Sequence, residues 1–199
     1  MKKVWAVLSG LVLLGSGWLG GASEAWAVSL DFVPATQTVM LGDSVMVDLV
    51  ISGLGNGVDP SVGDFDLDVT YDSSILTATG VTFGPFLGDG IDSFQDSDVL
   101  TPGLIDLAEL SLLFDLSGQP GSFTLATLSF NTVGVGTSAL ILTQVIVEDA
   151  FAQDLSPTVG TGSITVETGG PTNPIPEPGT ILLFGSGLAG LLGWRMRTR

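Results

Sequence analysis

The chain contains no cysteine and no histidine, and between Val4 and Trp194 it contains no lysine or arginine. Each absence removes a class of chemistry. Without cysteine there can be no disulfide framework, so any fold rests on its hydrophobic core alone. Without histidine, cysteine or interior lysine, the common nucleophile–base pairs and most transition-metal sites are excluded. Without interior cations, no salt bridge can form inside the Val4–Trp194 stretch. Tryptophan is confined to Trp5, Trp18, Trp26 and Trp194, and Tyr71 is the single tyrosine.

What the chain has in quantity is acid. Its 21 Asp and Glu residues give a net charge of −16 over 199 residues. All 21 lie between Val4 and Trp194. Such a polyanion repels a phosphate backbone, which argues against a nucleic-acid partner. It also offers oxygen ligands to hard cations such as Ca²⁺.

The ends carry the basic residues and read as targeting signals. Lys2 and Lys3 precede the apolar run "VWAVLSGLVLLGSGWLGG", and Ala25-Trp26-Ala27 supplies a small-x-small cleavage pattern through Ala25 and Ala27. Residues 1–27 therefore read as a secretory signal peptide. At the other end, Pro176-Glu177-Pro178 is followed by fifteen mostly apolar residues, Thr180–Trp194, and then by Arg195, Arg197 and Arg199. As a helix, that run is about 22 Å long, short of the ~30 Å hydrocarbon core. It reads as a marginal single transmembrane helix, with the arginines holding the C-terminus on the cytoplasmic side. "ETGGPTNPIPEP" ahead of it is Gly/Pro-rich, and residues 167–175 read as a flexible linker.

The triplet, the apolar run and the Arg-rich end (residues 176–199) resemble a PEP-CTERM sorting signal. That resemblance implies export in a Gram-negative bacterium, a membrane intermediate, and processing by an exosortase-type protease that recognises Pro176, Glu177 and Pro178. Gly179 departs from the Ser or Thr common at that place, and Met196 and Thr198 interrupt the arginines. The final location it implies is the cell envelope, the surface or an extracellular matrix.

Between the signals, residues 28–166 read as strands. In "SVMVDLVIS", Val45, Val47, Leu49 and Ile51 share one face. In "GDFDLDVTYD", Phe65, Leu67, Val69 and Tyr71 alternate with Asp64, Asp66, Asp68 and Thr70. Further strands are expected in "VSLDFVP", "ILTATGVTF", "LIDLAELSLLF", "FTLATLSFNTV", "ALILTQVIVEDA" and "GSITVE". Two of them change phase: Phe123 and Leu125 give way to Leu128 and Phe130, and Ile105 and Leu107 to Leu110, Leu112 and Phe114. Each break predicts a bulge or bend that moves a strand between sheets. Eight or nine strands separated by Gly/Asn/Asp/Pro turns make an all-β, antiparallel β-sandwich, to which the resemblance below adds a jelly-roll topology.

The succession of motifs, above all Phe65-x-Leu67-x-Val69-x-Tyr71-Asp72-x-x-x-Leu76 and "GSFTLATLSF", resembles a cohesin-type domain related to family-2/3 carbohydrate-binding modules. That resemblance implies a non-enzymatic interaction module with a dockerin-like partner. The alternatives are a carbohydrate-binding component of the polysaccharide matrix and a glycoside hydrolase. Several phenylalanines stand in core-like phase, and no tryptophan lies between the two signals, which does not favour sugar stacking. Tyr71 is expected in the core with a bonded hydroxyl, and Asp72 at the start of a turn.

One cation site is suggested. "LGDGIDSFQDSDV" sets Asp89, Asp92, Asp96 and Asp98 within ten residues of a glycine-flanked loop, which could wrap Ca²⁺. Asp64, Asp66 and Asp68 cannot do so together, because residues two apart on a strand lie nearly 7 Å from each other. They are expected to keep one sheet face in water and to meet a cationic partner.

Overall fold

The computed structural model describes residues 27–169. The signal-peptide segment up to Trp26, including Ala25, lies outside them, as do Pro176, Glu177, Pro178, the 180–194 segment and Arg195, Arg197 and Arg199. Within the described residues every regular element is a strand. Among them no helix long and apolar enough to cross a membrane occurs.

In chain order the strands are β1 (Ser29–Val33), β2 (Thr36–Met40), β3 (Ser44–Ser52), β4 (Asp64–Thr70), β5 (Leu76–Phe83), β6 (Ser93–Asp98), β7 (Leu104–Ser111), β8 (Ser122–Thr132), β9 (Gly136–Glu148), β10 (Thr158–Val159) and β11 (Gly162–Glu167). They form two sheets, ordered β10-β1-β3-β8-β5 and β2-β11-β9-β4-β7-β6. All pairings are antiparallel except β1 with β10 and β2 with β11. The sheets pack as a sandwich, as alternating inward and outward residues require.

The core follows from that alternation. Leu49 and Ile51 of β3, Phe65, Leu67 and Val69 of β4, Ile105 and Leu107 of β7, and Leu128 and Phe130 of β8 are fully buried. Tyr71 packs edge-on against Phe130, with ring centroids 5.3 Å apart, and its hydroxyl lies 3.4 Å from the Ala78 amide. Asp72 begins a turn in which its Oδ1 accepts from the Ser74 amide at 2.9 Å and the Ser74 hydroxyl at 2.6 Å. Those two bonds hold the exposed Asp72 carboxyl below the usual range.

The two phase breaks resolve differently. On β8 there is a bulge: Leu49 and Val50 of β3 face Ala126 and Thr124, so Leu125 is the extra residue. The strand nevertheless stays in one sheet. On β7 there is no break at all. Its alternation continues through Ile105, Leu107 and Glu109 inward, while Leu110 turns outward and is 47% exposed. The change of sheet occurs elsewhere, at Val33-Pro34-Ala35 between β1 and β2 and again at Gly160-Thr161 between β10 and β11. Proline suits the first crossing because it offers no N–H to either ladder.

The acidic "loop" is a correction. Ser93–Asp98 is strand β6, paired with β7 along its whole length. Asp96 and Asp98 point from a strand, while Asp89 Oδ1 is occupied by the Ile91 amide at 3.0 Å. Asp98 Oδ1 likewise accepts from the Leu100 amide at 2.7 Å. The Asp92 carbonyl receives the Leu112 amide. Among the described residues no group of three or more acidic side chains is placed to hold a metal ion.

A candidate docking face

The antiparallel registers turn the acids predicted on β4 into part of a wider surface. On the outer side of the six-stranded sheet, residues of β9, β4, β7 and β6 stand in rows across the strands. The first row is Glu148, Asp64, Leu110 and Phe94. The second is Ile146, Asp66, Ala108 and Asp96. The third is Gln144, Asp68, Asp106 and Asp98. Directly opposed side chains on adjacent strands have Cβ atoms about 4.5–5.5 Å apart. Asp68, Asp106 and Asp98 are thus three like charges in consecutive contact positions.

The electrostatics record this crowding. Partial burial, then the charges of Asp68, Asp66, Asp96 and Asp98, push the Asp106 carboxyl above the usual carboxylate range. Burial, Glu148 and Asp66 do the same to Asp64. The acids have hydrogen-bond donors but no counter-charge: Gln144 Nε2 donates to Asp66 Oδ1 at 2.8 Å and the Leu100 amide to Asp98 Oδ1. Like charges directly opposite each other are destabilising in a sheet, and here no lysine or arginine between residues 4 and 194 can relieve them.

The face also carries exposed apolar side chains among the acids: Phe94 is 67% exposed, Leu110 47% and Ile146 44%. Beyond the end of β7, Phe114 is fully exposed, and Phe151 is exposed after β9. Phe114 and Phe151 line one cleft of about 230 Å³ with Val58, Asp59 and Asp115. Asp64, Leu110 and Glu148 line a smaller notch of about 160 Å³ beside it. Several phenylalanines do stand in core phase, Phe32, Phe65, Phe123 and Phe130 among them, but Phe94, Phe114 and Phe151 are exposed.

Of the residues singled out in the sequence, the structure therefore gathers Asp64, Asp66, Asp68, Asp96 and Asp98 on one face. It leaves Asp89 and Asp92 in the turn that leads into β6. Asp106, Phe94, Ala108, Leu110 and Ile146 were not foreseen as parts of a site. Their strands were recognised or overlooked singly, and cross-strand register cannot be read from one strand.

Comparison with known proteins bears on the C-terminal signal and on the fold. Residues 174–197 match the PEP-CTERM protein-sorting motif. Comparison with curated protein sequences gives no match. Among solved structures, the cohesin CaCohA2 from Clostridium acetobutylicum aligns with TM-score 0.59 at 27% identity, covering 73% of this chain and 93% of that one. The chain carries a PEP-CTERM sorting motif behind a cohesin-like domain. The sixth cohesin of scaffoldin B from Acetivibrio cellulolyticus, solved in complex with a Cel5 dockerin, gives 0.60 at 18% identity, covering 71% and 99%. A non-cellulosomal cohesin from the archaeon Archaeoglobus fulgidus gives 0.56 at 17%, covering 71% and 91%. The cohesin-like sandwich is the fold of a binding module, and the sorting motif marks the chain for export and envelope sorting.

Proposed function

We propose that this chain is an exported, non-enzymatic interaction module whose acidic six-stranded face docks a cationic, dockerin-like protein. The observation that carries the reading is the block of Asp66, Asp68, Asp96, Asp98 and Asp106, left without one cation and bordered by exposed Phe94, Leu110 and Ile146. A partner with basic residues over the acids and apolar residues over Phe94, Leu110 and Ile146 relieves the repulsion and buries those side chains together. Electrostatic complementarity of this kind speeds encounter and fixes orientation. Binding should also release protons, because a cation beside Asp106 and Asp64 lowers their raised carboxyls.

Polysaccharide binding would have to use the Phe114–Phe151 cleft. Nothing else among the described residues extends those two rings into a stacking row. A glycosidase would need two facing carboxylates in a substrate-sized cleft. The Asp64–Glu148 notch is too small for a sugar chain.

The C-terminal half of the proposal concerns processing. The 180–194 segment serves as a temporary anchor, the stalk that follows β11 presents Pro176-Glu177-Pro178 beside the bilayer, and an exosortase-type protease cuts there; Glu167, expected in that stalk, instead closes β11 opposite Met40. Mass spectrometry of the protein from a processing-competent host should find a C-terminus near Pro176–Pro178 and no peptide containing Arg199. Glu177→Ala should leave the full-length form in the membrane. Recovery of the intact C-terminus as the only species would make the segment a permanent anchor.

A further inference from the structure

Glu109 is the one charged side chain of β7 that turns inward, and it is 1% exposed. Phe65 of β4 and Gln95 of β6 stand opposite it in register. Its Oε1 accepts from Gln95 Nε2 at 2.8 Å, and its Oε2 has no hydrogen-bond partner. An ionised carboxylate in that position needs a counter-charge. None exists. The titratable groups on the surrounding elements are Asp64, Asp66 and Asp68 of β4, Asp106 of β7, Asp96 and Asp98 of β6, and Asp89 and Asp92 ahead of β6. All are acids, and those on the strands face the other side of the sheet. β5, the strand of the opposite sheet that approaches β7, has no titratable residue. Burial accordingly pushes the Glu109 carboxyl up, with Gln95 and Ser93 pulling it part of the way back.

We infer that Glu109 is a proton-operated latch for edge strand β6, closed while Glu109 keeps its proton and opened by release of that proton to solvent. β6 is the element that yields. It pairs with β7 alone, whereas β4 on the other side of β7 lies inside the sheet. Two β6 residues are tied to the latch: Gln95 bonds Glu109 directly, and the buried Ser93 hydroxyl acts on the same carboxyl. Opening β6 would bring water to Glu109 and withdraw Phe94, Asp96 and Asp98 from the outer face. That last consequence rests on the docking proposal, but the latch itself does not.

The sign follows from linkage. In the closed state the carboxyl titrates above its ordinary value, so its contribution is fully present below that ordinary value. It is lost as pH rises toward the raised one. Across that interval the opening constant of β6 rises about tenfold per pH unit and then levels off.

Amide hydrogen exchange of the protein, corrected for intrinsic base catalysis, reads this directly. Protection of the β6–β7 amides should fall about tenfold per pH unit above the ordinary glutamate range. Protection in the β3–β8 ladder should stay level, and Glu109→Gln should hold the β6–β7 amides protected throughout. Flat β6 protection in the wild type, or an equal fall in Glu109→Gln, would overturn the latch. Should Glu109→Gln not fold, the carboxyl-carbon NMR titration of Glu109 in the wild type decides instead: a midpoint within the ordinary carboxylate range refutes it. Titration with dockerin domains at both ends of the pH range separates the two proposals. A working latch with no binding at either pH leaves the latch standing and removes the docking reading.

Discussion

Leu67→Ala is expected to lower the unfolding free energy by about 2–5 kcal/mol, with its neighbour Asp66→Asn close to neutral. Leu67 is fully buried at the middle of β4, between Leu107 of β7 and Val145 of β9 in register. Truncation there leaves a cavity that two flanking strands, each fixed by its own ladder, cannot collapse to fill. With no disulfide and no interior ion pair, a loss of this size is a large part of the roughly 5–15 kcal/mol that holds a typical domain. Asp66 points the other way. An asparagine retains an oxygen for the Gln144 amide at 2.8 Å and removes one of the charges acting on Asp64 and Asp106. Urea unfolding of both variants checks the pair. A more damaging Asp66→Asn would mean that the outer face carries a structural ion.

The second large effect is on association. Reversing two charges with Asp68→Lys and Asp106→Lys should weaken binding to a dockerin domain by about a hundredfold or more. These residues stand directly opposite each other in the third acidic row. Their replacement puts positive charge where a cationic partner must approach, and repulsion then acts at the centre of the contact. Folding should not suffer, because the new lysines lie beside Asp66, Asp96 and Asp98 and relieve the crowding recorded at Asp106. Met46→Lys, on the outer face of β3 in the opposite sheet and 65% exposed, is the matched control and should bind as the wild type does. Calorimetric titration with a preserved melting temperature separates lost contact from lost fold. Equal affinity for all three proteins would move the interface off this face.

Much of the fold was legible because most strands announce themselves by alternation. β3 and β4 each bury every second residue, as their sequences require. β6 was missed because Ser93–Asp98 offers a single apolar residue, Phe94, which faces out. An edge strand with one neighbour can be held by its backbone ladder and needs little hydrophobic pattern. β2 and β10 are short, and β10 has only two residues to show. On β7, Leu110 and Leu112 shift the hydrophobic pattern by one residue although the strand's alternation does not shift. The true inward residue is Glu109, which no hydrophobic period would select. The acids of β4 were recognised as an outward row. Their cross-strand companions on β7 and β6 depend on register, a property of two strands together, so the docking face stayed hidden until the sheet was assembled. Cohesin likeness supplied the architecture, and the C-terminal motif stood out in sequence because its three parts occur in a fixed order.

The central claim is that the outer face of β9, β4, β7 and β6 is where this module meets its partner. The most direct test is an amide-exchange footprint of the protein, recorded free and saturated with a dockerin domain. Slowed exchange is predicted across Asp64–Thr70, Ser93–Asp98 and Leu104–Ser111, with the β1, β3, β8 and β5 sheet unchanged. A footprint on that second sheet, or the failure of every dockerin domain in a broad panel to bind, would contradict it.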